Sequence, residues 1–456
     1  MATRAEIENR LKTLNEKLAD YIPPRETWTP ADEALFKPPD LLRVPTDEAQ
    51  QMQFKGIKYA FTHHHTHNRF YREYCKGKGV TPDDLKTTDD FDKIPLLPDV
   101  TFKTHPSGKD FAYWITSIFT GDLPRVVIKG ANPSFDDIIN AFNEQAGLKI
   151  AYSTGTTGRH SVIPRDKRTF YTFQYAMTKM RLDLVDELGV DHSLSLFPRP
   201  TQTNLYAGQV MEFQYQSYKD HHCALDAEIS ADQALRAMTG QDKNGGVSLS
   251  AMEQMRKVFE NGTAWLERYE HTPDTVMLVA PPAVFSSFMD SLERMGKRFA
   301  YGERGTVLTG GGWKTRENER IAADGFRKRI EEVLGIPETH CIDGYGMVEM
   351  NAGFVQCPEG HYYHLPYTSL RPLILDELLT PIGYGEWGRL AFLDPIAYSY
   401  PGFIITGDRV RMLEHCPVCD REGPVLDTVI ERAASEEVRG CAEEVRRTLE
   451  QGLEAR

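Results

Sequence analysis

Between residues 190 and 345, short apolar runs alternate with longer amphipathic stretches, and this alternation constrains the fold more than any other feature of the chain. Ser193-Leu-Ser-Leu-Phe197, Thr275-Val-Met-Leu-Val279 and Val307-Leu308 read as strands, while Leu249 to Tyr269, 284–295 and 318–334 read as helices. A strand–helix repeat of this kind predicts an α/β fold with a mainly parallel sheet covered by helices. Ligand sites in such sheets lie at the carboxyl ends of the strands. From about residue 371 the pattern changes, and Gly383, Gly385 and Gly388 among short apolar runs predict a small antiparallel barrel or sheet.

Upstream, Ile7, Leu11, Leu14 and Leu18 form a helical stripe over residues 4–20, which Pro23-Pro24 ends. His63, His64, His65 and His67 lie among Phe54, Tyr59, Phe61, Phe70 and Tyr71, and read as a helix face with packed imidazoles rather than a metal cluster. The spaced prolines in Phe91–Lys103 predict an extended segment. The expected division is a helical segment 1–110 packing on the core, an α/β core 111–370, a β-rich lobe 371–432 and a C-terminal helix 433–456. The formal net charge of −13 and the absence of a basic patch argue against nucleic-acid or membrane-surface partners. No apolar run approaches the ~20 residues of a membrane span, and the N-terminus does not read as a signal peptide. Seven scattered cysteines suit a reducing cytoplasm, with thiols free or metal-bound.

Leu148-Lys-Ile-Ala-Tyr152 reads as a buried strand that ends in Ser153, Thr154, Gly155, Thr156, Thr157 and Gly158. Glycines let backbone N–H groups turn toward an anion, and hydroxyls add donors without bulk, which suits a polyphosphate. It is not a Walker loop, since no Gly-Lys-Ser/Thr follows. A Ser/Thr/Gly run is also the composition of a plain surface turn.

The order of motifs along the chain separates these readings. The loop resembles the phosphate loop of adenylate-forming enzymes, which make acyl-AMP from a carboxylate and ATP. Asp343-Gly-Tyr-Gly-Met-Val-Glu349 resembles that family's adenine and magnesium motif, and Ile404-Ile-Thr-Gly-Asp408 its ribose motif. Ile94-Pro-Leu-Leu-Pro98 with Phe102-Lys103, Leu308-Thr-Gly-Gly-Gly-Trp-Lys314 and Val438-Arg-Gly-Cys-Ala442 resemble the branch of the acyl-protein synthetase of bacterial luciferase operons, with phenylacetate–CoA ligases more distant.

The resemblance implies ATP and Mg2+ as cofactors. Ser153 to Gly158 would take the phosphates and Glu349 the magnesium. Gly310, Gly311, Gly312, Asp343, Gly344, Tyr345 and Gly346 would lie around adenine, and Asp408 and Arg432 would hold the ribose. Glu431 stands where the family has a glycine before that arginine. The family's lysine near the end of the phosphate loop is replaced here by Arg159, His160 and Ser161. Only 48 residues follow Asp408 and the last lysine is Lys328, so the family's C-terminal lid, with its lysine, is expected to be largely missing. Arg159 is the candidate replacement for the loop lysine, and Lys314 and Lys103 are the candidates for the lid lysine.

Cys416-Pro-Val-Cys419, with Cys357 and His364 (or His361), has the donors of a structural zinc site. Cys441 corresponds to the acyl-carrying cysteine of the acyl-protein synthetases, although Val438, Cys441, Val445, Leu449 and Leu453 also form a packing stripe. The function this implies is activation of a small-molecule carboxylic acid to acyl-AMP, then transfer to a thiol on this chain or a partner. An acyl reductase or carrier protein is the implied partner, and a homodimer is compatible with the reading. The rivals are an acid–CoA or acid–carrier ligase and a non-catalytic nucleotide-binding scaffold.

Overall fold

The computed structural model describes residues 2–154, 160–199, 204–226, 249–433, 445 and 447–449. In chain order the described strands are β1 (Leu97–Pro98), β2 (Lys149–Thr154), β3 (His160–Arg165), β4 (His192–Pro198), β5 (His221–Leu225), β6 (Val276–Ala280), β7 (Gly305–Gly310) and β8 (Cys341–Tyr345). They continue with β9 (Phe354–Gln356), β10 (Tyr363–His364), β11 (Arg371–Leu375), β12 (Trp387–Leu393), β13 (Phe403–Leu413), β14 (Val425–Leu426) and β15 (Glu431–Arg432).

The run β5-β4-β6-β7-β8 is parallel throughout, as the strand–helix alternation predicts. β6, β7 and β8 bury side chains on both faces. Met277, Leu308 and Ile342 pack with Tyr175, Ala176 and Phe213 on one side. Their neighbours Val276, Leu278, Val307 and Cys341 pack on the other with Phe285, Phe288, Ile330 and Val333. Alternate side chains of a strand point to opposite faces, so a strand covered twice must be apolar almost throughout. Helices Leu249–Tyr269, Pro282–Arg294 and Ala323–Leu334 form the second of these layers.

The antiparallel region is not a separate sheet. β9 pairs antiparallel with β8, and β10, β14, β13, β12 and β11 extend the same thirteen-stranded sheet. Against it packs the long helix Thr46–His67, where Ile57, Ala60 and Phe61 join Phe403 and Ile404 in one core. On that helix His64 is fully buried, with Nδ1 2.9 Å from Thr120 Oγ1, and His63 Nε2 is 3.2 Å from the Tyr398 carbonyl. Packing thus occupies these imidazoles.

Three element boundaries differ from expectation. The first helix, Arg4–Lys17, is capped by a Thr3/Glu6 box and stops short of residue 20. The helix expected over 318–334 starts at Ala323, because Lys314–Glu319 forms a separate 3-10 turn in which Arg316 pairs with Glu319 and donates to the Ala283 carbonyl at 3.2 Å. Phe91–Lys103 is extended only around its prolines. There β1 pairs in parallel with β13 through Leu97↔Ile404 and Pro98↔Ile405, and 3-10 turns Thr88–Lys93 and Asp99–Phe102 flank it. No described helix is long and apolar enough to cross a membrane.

Candidate active site

The carboxyl ends of β7 and β8 form a floor of bare backbone. Gly310 faces Gly344 in register, and a Cβ on Gly310 would lie 3.2 Å from the Gly344 carbonyl. Gly311 and Gly312 follow at φ +83° and +66°, a region costly for any residue with a Cβ. A flat ring can therefore approach the main chain here. Asp343, expected beside the nucleotide, has a structural task as well. Its half-buried carboxylate accepts from Thr309 Oγ1 and from the Tyr363 hydroxyl at 2.6 Å, which ties β8 to β7 and β10. Burial pushes that carboxyl above its ordinary range.

Tyr345 and Asp408 meet directly. The tyrosine hydroxyl donates to Asp408 Oδ2 at 2.7 Å, while Arg432 Nη1 lies 2.8 Å from Oδ1 across the register pair Asp408↔Arg432 of β13 and β15. Each carboxylate oxygen keeps a lone pair for a further donor such as a ribose hydroxyl. The Arg432 side chain is 66% exposed, so this ion pair contributes at most about 1 kcal/mol and leaves the guanidinium available.

Glu349 is almost completely buried and accepts from Ser161 Oγ on β3, three residues after Gly158. Burial pushes the Glu349 carboxyl up from its ordinary range, and the Lys103 ammonium pulls against that shift. A desolvated carboxylate with few donors is a fitting ligand for a small hard cation. Lys103 is itself paired with Asp99. Burial lowers its pKa and the Asp99 and Glu349 carboxylates raise it, leaving it above the ordinary lysine value. Asp99 also reaches the ribose side, since its Oδ2 would lie 3.6 Å from a Cβ on Gly407.

A second layer holds the Glu349 turn. Arg165, fully buried on β3, donates through Nε to Asn351 Oδ1 at 2.8 Å and through Nη2 to the Val348 carbonyl at 2.6 Å. Asn351 donates from its backbone to Asp394 at 2.7 Å, and the Tyr400 hydroxyl donates to the Glu349 carbonyl at 2.9 Å.

Of the residues expected at the site, the structure brings together Gly310–Gly312, Gly344, Tyr345, Glu349, Asp408 and Arg432. Ser153 lies on β2 opposite Ser161, and Thr154 opposite His160. Gly155, Thr156, Thr157, Gly158, Arg159 and Cys441 lie outside the described residues, as do the side chains of Thr154 and Lys314. Sequence reasoning missed Ser161, Asp99 and Arg165. The four-residue spacing of Asp99 and Lys103 after Pro98 was the one available signal.

The cysteine cluster assembles as expected. Ligand atoms of Cys357, His364, Cys416 and Cys419 all lie within 4.8 Å of one another, with Cys419 Sγ 3.4 Å from His364 Nε2. The structure chooses His364 over His361, which instead closes a turn on Cys357 by donating its N–H to the Cys357 carbonyl at 2.9 Å. Three sulfurs and one imidazole match a tetrahedral zinc donor set. Fully buried Arg421 anchors the same loop, with Nε 2.8 Å from Asp183 Oδ2 and Nη1 2.7 Å from Glu359 Oε2.

The family model described as "Acyl-protein synthetase, LuxE" matches residues 269–450. The chain is 22% identical over 400 residues to the long-chain-fatty-acid–luciferin-component ligase of Vibrio harveyi, covering 87% of each chain. It is also 22% identical over 401 residues to the protein of the same name from Aliivibrio fischeri, covering 87% of this chain and 88% of that one. Among solved structures it resembles a 2-hydroxyisobutyryl-CoA ligase in complex with 2-HIB-AMP and CoA in the thioesterification state. The TM-score is 0.57 at 12% identity, covering 87% of this chain and 70% of that one. An open conformation of that ligase gives 0.57 at 13% identity, covering 91% and 82%. The fold is therefore that of the adenylate-forming enzymes. Residues 269–450 are similar to the acyl-protein synthetase family, the branch that the motifs resemble.

Proposed function

We propose that the chain is an ATP-dependent, carboxylate-activating ligase that forms acyl-AMP and passes the acyl group to a thiol. The observation that carries this reading is the meeting of two carboxylates around the carboxyl end of β8, where Tyr345 bonds the ribose-type Asp408 of β13 and the metal-type Glu349 just beyond accepts from Ser161 of the separate two-stranded β2–β3 sheet. Asp408 and Arg432 hold the ribose, and the backbone of Gly310–Gly312 with the Tyr345 ring receives adenine. The glycine- and hydroxyl-rich segment Ser153 to Gly158 takes the β- and γ-phosphates. Glu349 holds Mg2+, which when bound neutralises phosphate charge. The acyl acceptor is Cys441 or a thiol on a partner, and the partner is an acyl reductase or carrier protein that consumes the thioester.

The test is incubation with ATP, Mg2+ and a panel of carboxylic acids, with hydroxylamine, CoA and carrier protein compared as acceptors. The reading expects acid-dependent AMP release and hydroxamate formation. AMP release only with CoA present favours the acid–CoA ligase alternative, and no AMP release with any acid leaves the scaffold. Mass spectrometry after incubation with ATP, Mg2+ and acid alone should find an acyl group on Cys441 that later hydroxylamine treatment removes. If the thioester appears on another cysteine, Cys441 is not the acceptor.

The ribose assignment predicts that Asp408→Asn weakens ATP binding about 10- to 100-fold, as expected for charge-assisted hydrogen bonds of roughly 1.5–3 kcal/mol, read by titration calorimetry. An affinity within threefold of the parent removes Asp408 from the nucleotide site.

Zinc at Cys357, His364, Cys416 and Cys419 is proposed as structural, because the set is closed and bound to the sheet through β10 and β14. Purified protein is expected to carry close to one equivalent of zinc. Cys416→Ser should lower the metal content below about a tenth of an equivalent and lower the melting temperature, since binding energy at such a site is folding energy. Metal-free parent protein with an unchanged melting temperature contradicts the site.

A further inference from the structure

The order of groups in ATP is ribose, α-phosphate, β-phosphate, γ-phosphate. If Asp408 marks the ribose and Glu349, with the Mg2+ it would hold, marks the outer phosphates, the α-phosphate falls between them. The Asp99–Lys103 pair occupies that interval. Asp99 stands beside Gly407, one residue from the ribose carboxylate, and the Lys103 ammonium pairs with Asp99 and is near enough to Glu349 for the two charges to act on each other. We infer that Lys103 is the cation that meets the α-phosphate while acyl-AMP forms, an inference that rests on the ligase reading above.

The local structure is built to hold this ammonium in place. β1 locks onto β13 in register two residues before the ribose motif's threonine, and the 3-10 turn Asp99–Phe102 follows at once. Phe102 is fully buried against Tyr400, the same tyrosine whose hydroxyl holds the Glu349 carbonyl. Lys103 N–H donates to the Val100 carbonyl at 3.0 Å, which closes the turn. The Lys103 side chain is 25% exposed and its partner Asp99 only 7%, so the cation is reachable while its anchor is not. Arg432, the cation paired with Asp408, lies beside the same Gly407 but is 66% exposed on the β15 edge, so it is held less firmly than Lys103.

In the step itself a substrate carboxylate oxygen attacks the α-phosphorus. The new C(=O)–O–P bond forms, the bond from phosphorus to the β-bridging oxygen breaks, and that electron pair leaves on pyrophosphate. No proton is transferred, and Lys103 stays protonated throughout. Its contribution is electrostatic. A fixed cation beside the non-bridging oxygens compensates the repulsion between two anions and the charge that builds at phosphorus. Asp99 keeps the ammonium oriented, so little reorganisation is needed when the substrates meet.

The experiment is single-turnover pyrophosphate release by the full chain with ATP, Mg2+ and an accepted acid, alongside ATP affinity, melting temperature and acyl transfer from a chemically synthesised acyl-adenylate. Lys103→Gln should lower the rate of adenylate formation by about 100-fold or more, the scale of losing one preorganised charge-stabilising group. ATP affinity and transfer from the synthetic adenylate should stay within threefold, and Lys103→Arg should recover at least a tenth of the parent rate. Adenylate formation within threefold of the parent in Lys103→Gln overturns the inference. So does a rate loss matched by equal losses in ATP affinity or in transfer from the synthetic adenylate. If Lys103→Gln does not fold, the double variant Asp99→Asn/Lys103→Gln removes both charges together: slow adenylation in the folded protein supports the role, and a parental rate overturns it. A parent protein that forms no adenylate with any acid overturns the ligase reading and this inference together, whereas an active parent with an equally active variant overturns the lysine alone.

Discussion

Glu349→Gln lowers the rate of acyl-adenylate formation by about 10²- to 10³-fold, the range expected when a preorganised electrostatic contact to the transferring group is lost. The substitution keeps the shape and one acceptor oxygen for Ser161 Oγ but removes the charge that Mg2+ would meet. Stability should not fall with activity. Burial pushes the Glu349 carboxyl above its ordinary range, so the folded protein holds this charge at a cost that a neutral amide relieves. The expected signature is a deep loss of rate, a higher Mg2+ requirement and a melting temperature at or above the parent's, read by pyrophosphate release across a magnesium series and by calorimetry. Loss of rate with a matching loss of stability would make Glu349 a packing residue.

Arg165→Leu should instead destabilise the fold, by about 3–5 kcal/mol, because a partner is removed from a buried, hydrogen-bonded polar network. The guanidinium lies 4.7 Å from the Phe173 ring centroid and 5.8 Å from that of Tyr400. Removing it strands Asn351 Oδ1 and the Val348 carbonyl in the interior. It also takes a cation from the neighbourhood of Asp394, whose carboxyl burial pushes up to about 6. The folded state therefore binds a proton at Asp394 more tightly than the unfolded chain. Its contribution to stability is fully present below the ordinary aspartate value near 3.8 and is lost as pH rises through about 6. Loss of Arg165 should steepen that decline. Urea unfolding at pH 5 and pH 7.5 tests both statements. A change under about 1 kcal/mol at either pH would mean that the network does not support the Glu349 turn.

Much of the fold was legible because its strands are covered on both faces. A run such as Val276–Ala280 has to be apolar at nearly every position, and that contrasts sharply with the amphipathic helices between the strands. The cysteine knuckle was legible because Cys-x₂-Cys places two ligands on one short turn, and the histidine was ambiguous only between positions 361 and 364. The motifs marked where Tyr345, Glu349 and Asp408 would lie, but not what joins them. Ser161 and Glu349 are 188 residues apart, and Arg165 and Asn351 are 186. No local pattern encodes contacts at that separation. The continuity of the antiparallel strands with the parallel sheet was hidden for a similar reason, since it depends on β8 and β9 exchanging hydrogen bonds across a turn that carries the Glu349 motif. Asp343 shows how a motif residue can be read incompletely, because its carboxylate also bonds Tyr363 on β10, the strand that carries His364.

Exchange of labelled pyrophosphate into ATP by the purified chain tests the central claim most directly, because it requires the nucleotide, the metal and the acid to meet in one cleft. Incorporation that depends on both Mg2+ and an added carboxylic acid is the predicted result. ATP bound without any exchange across a broad panel of aliphatic and aromatic acids would contradict it.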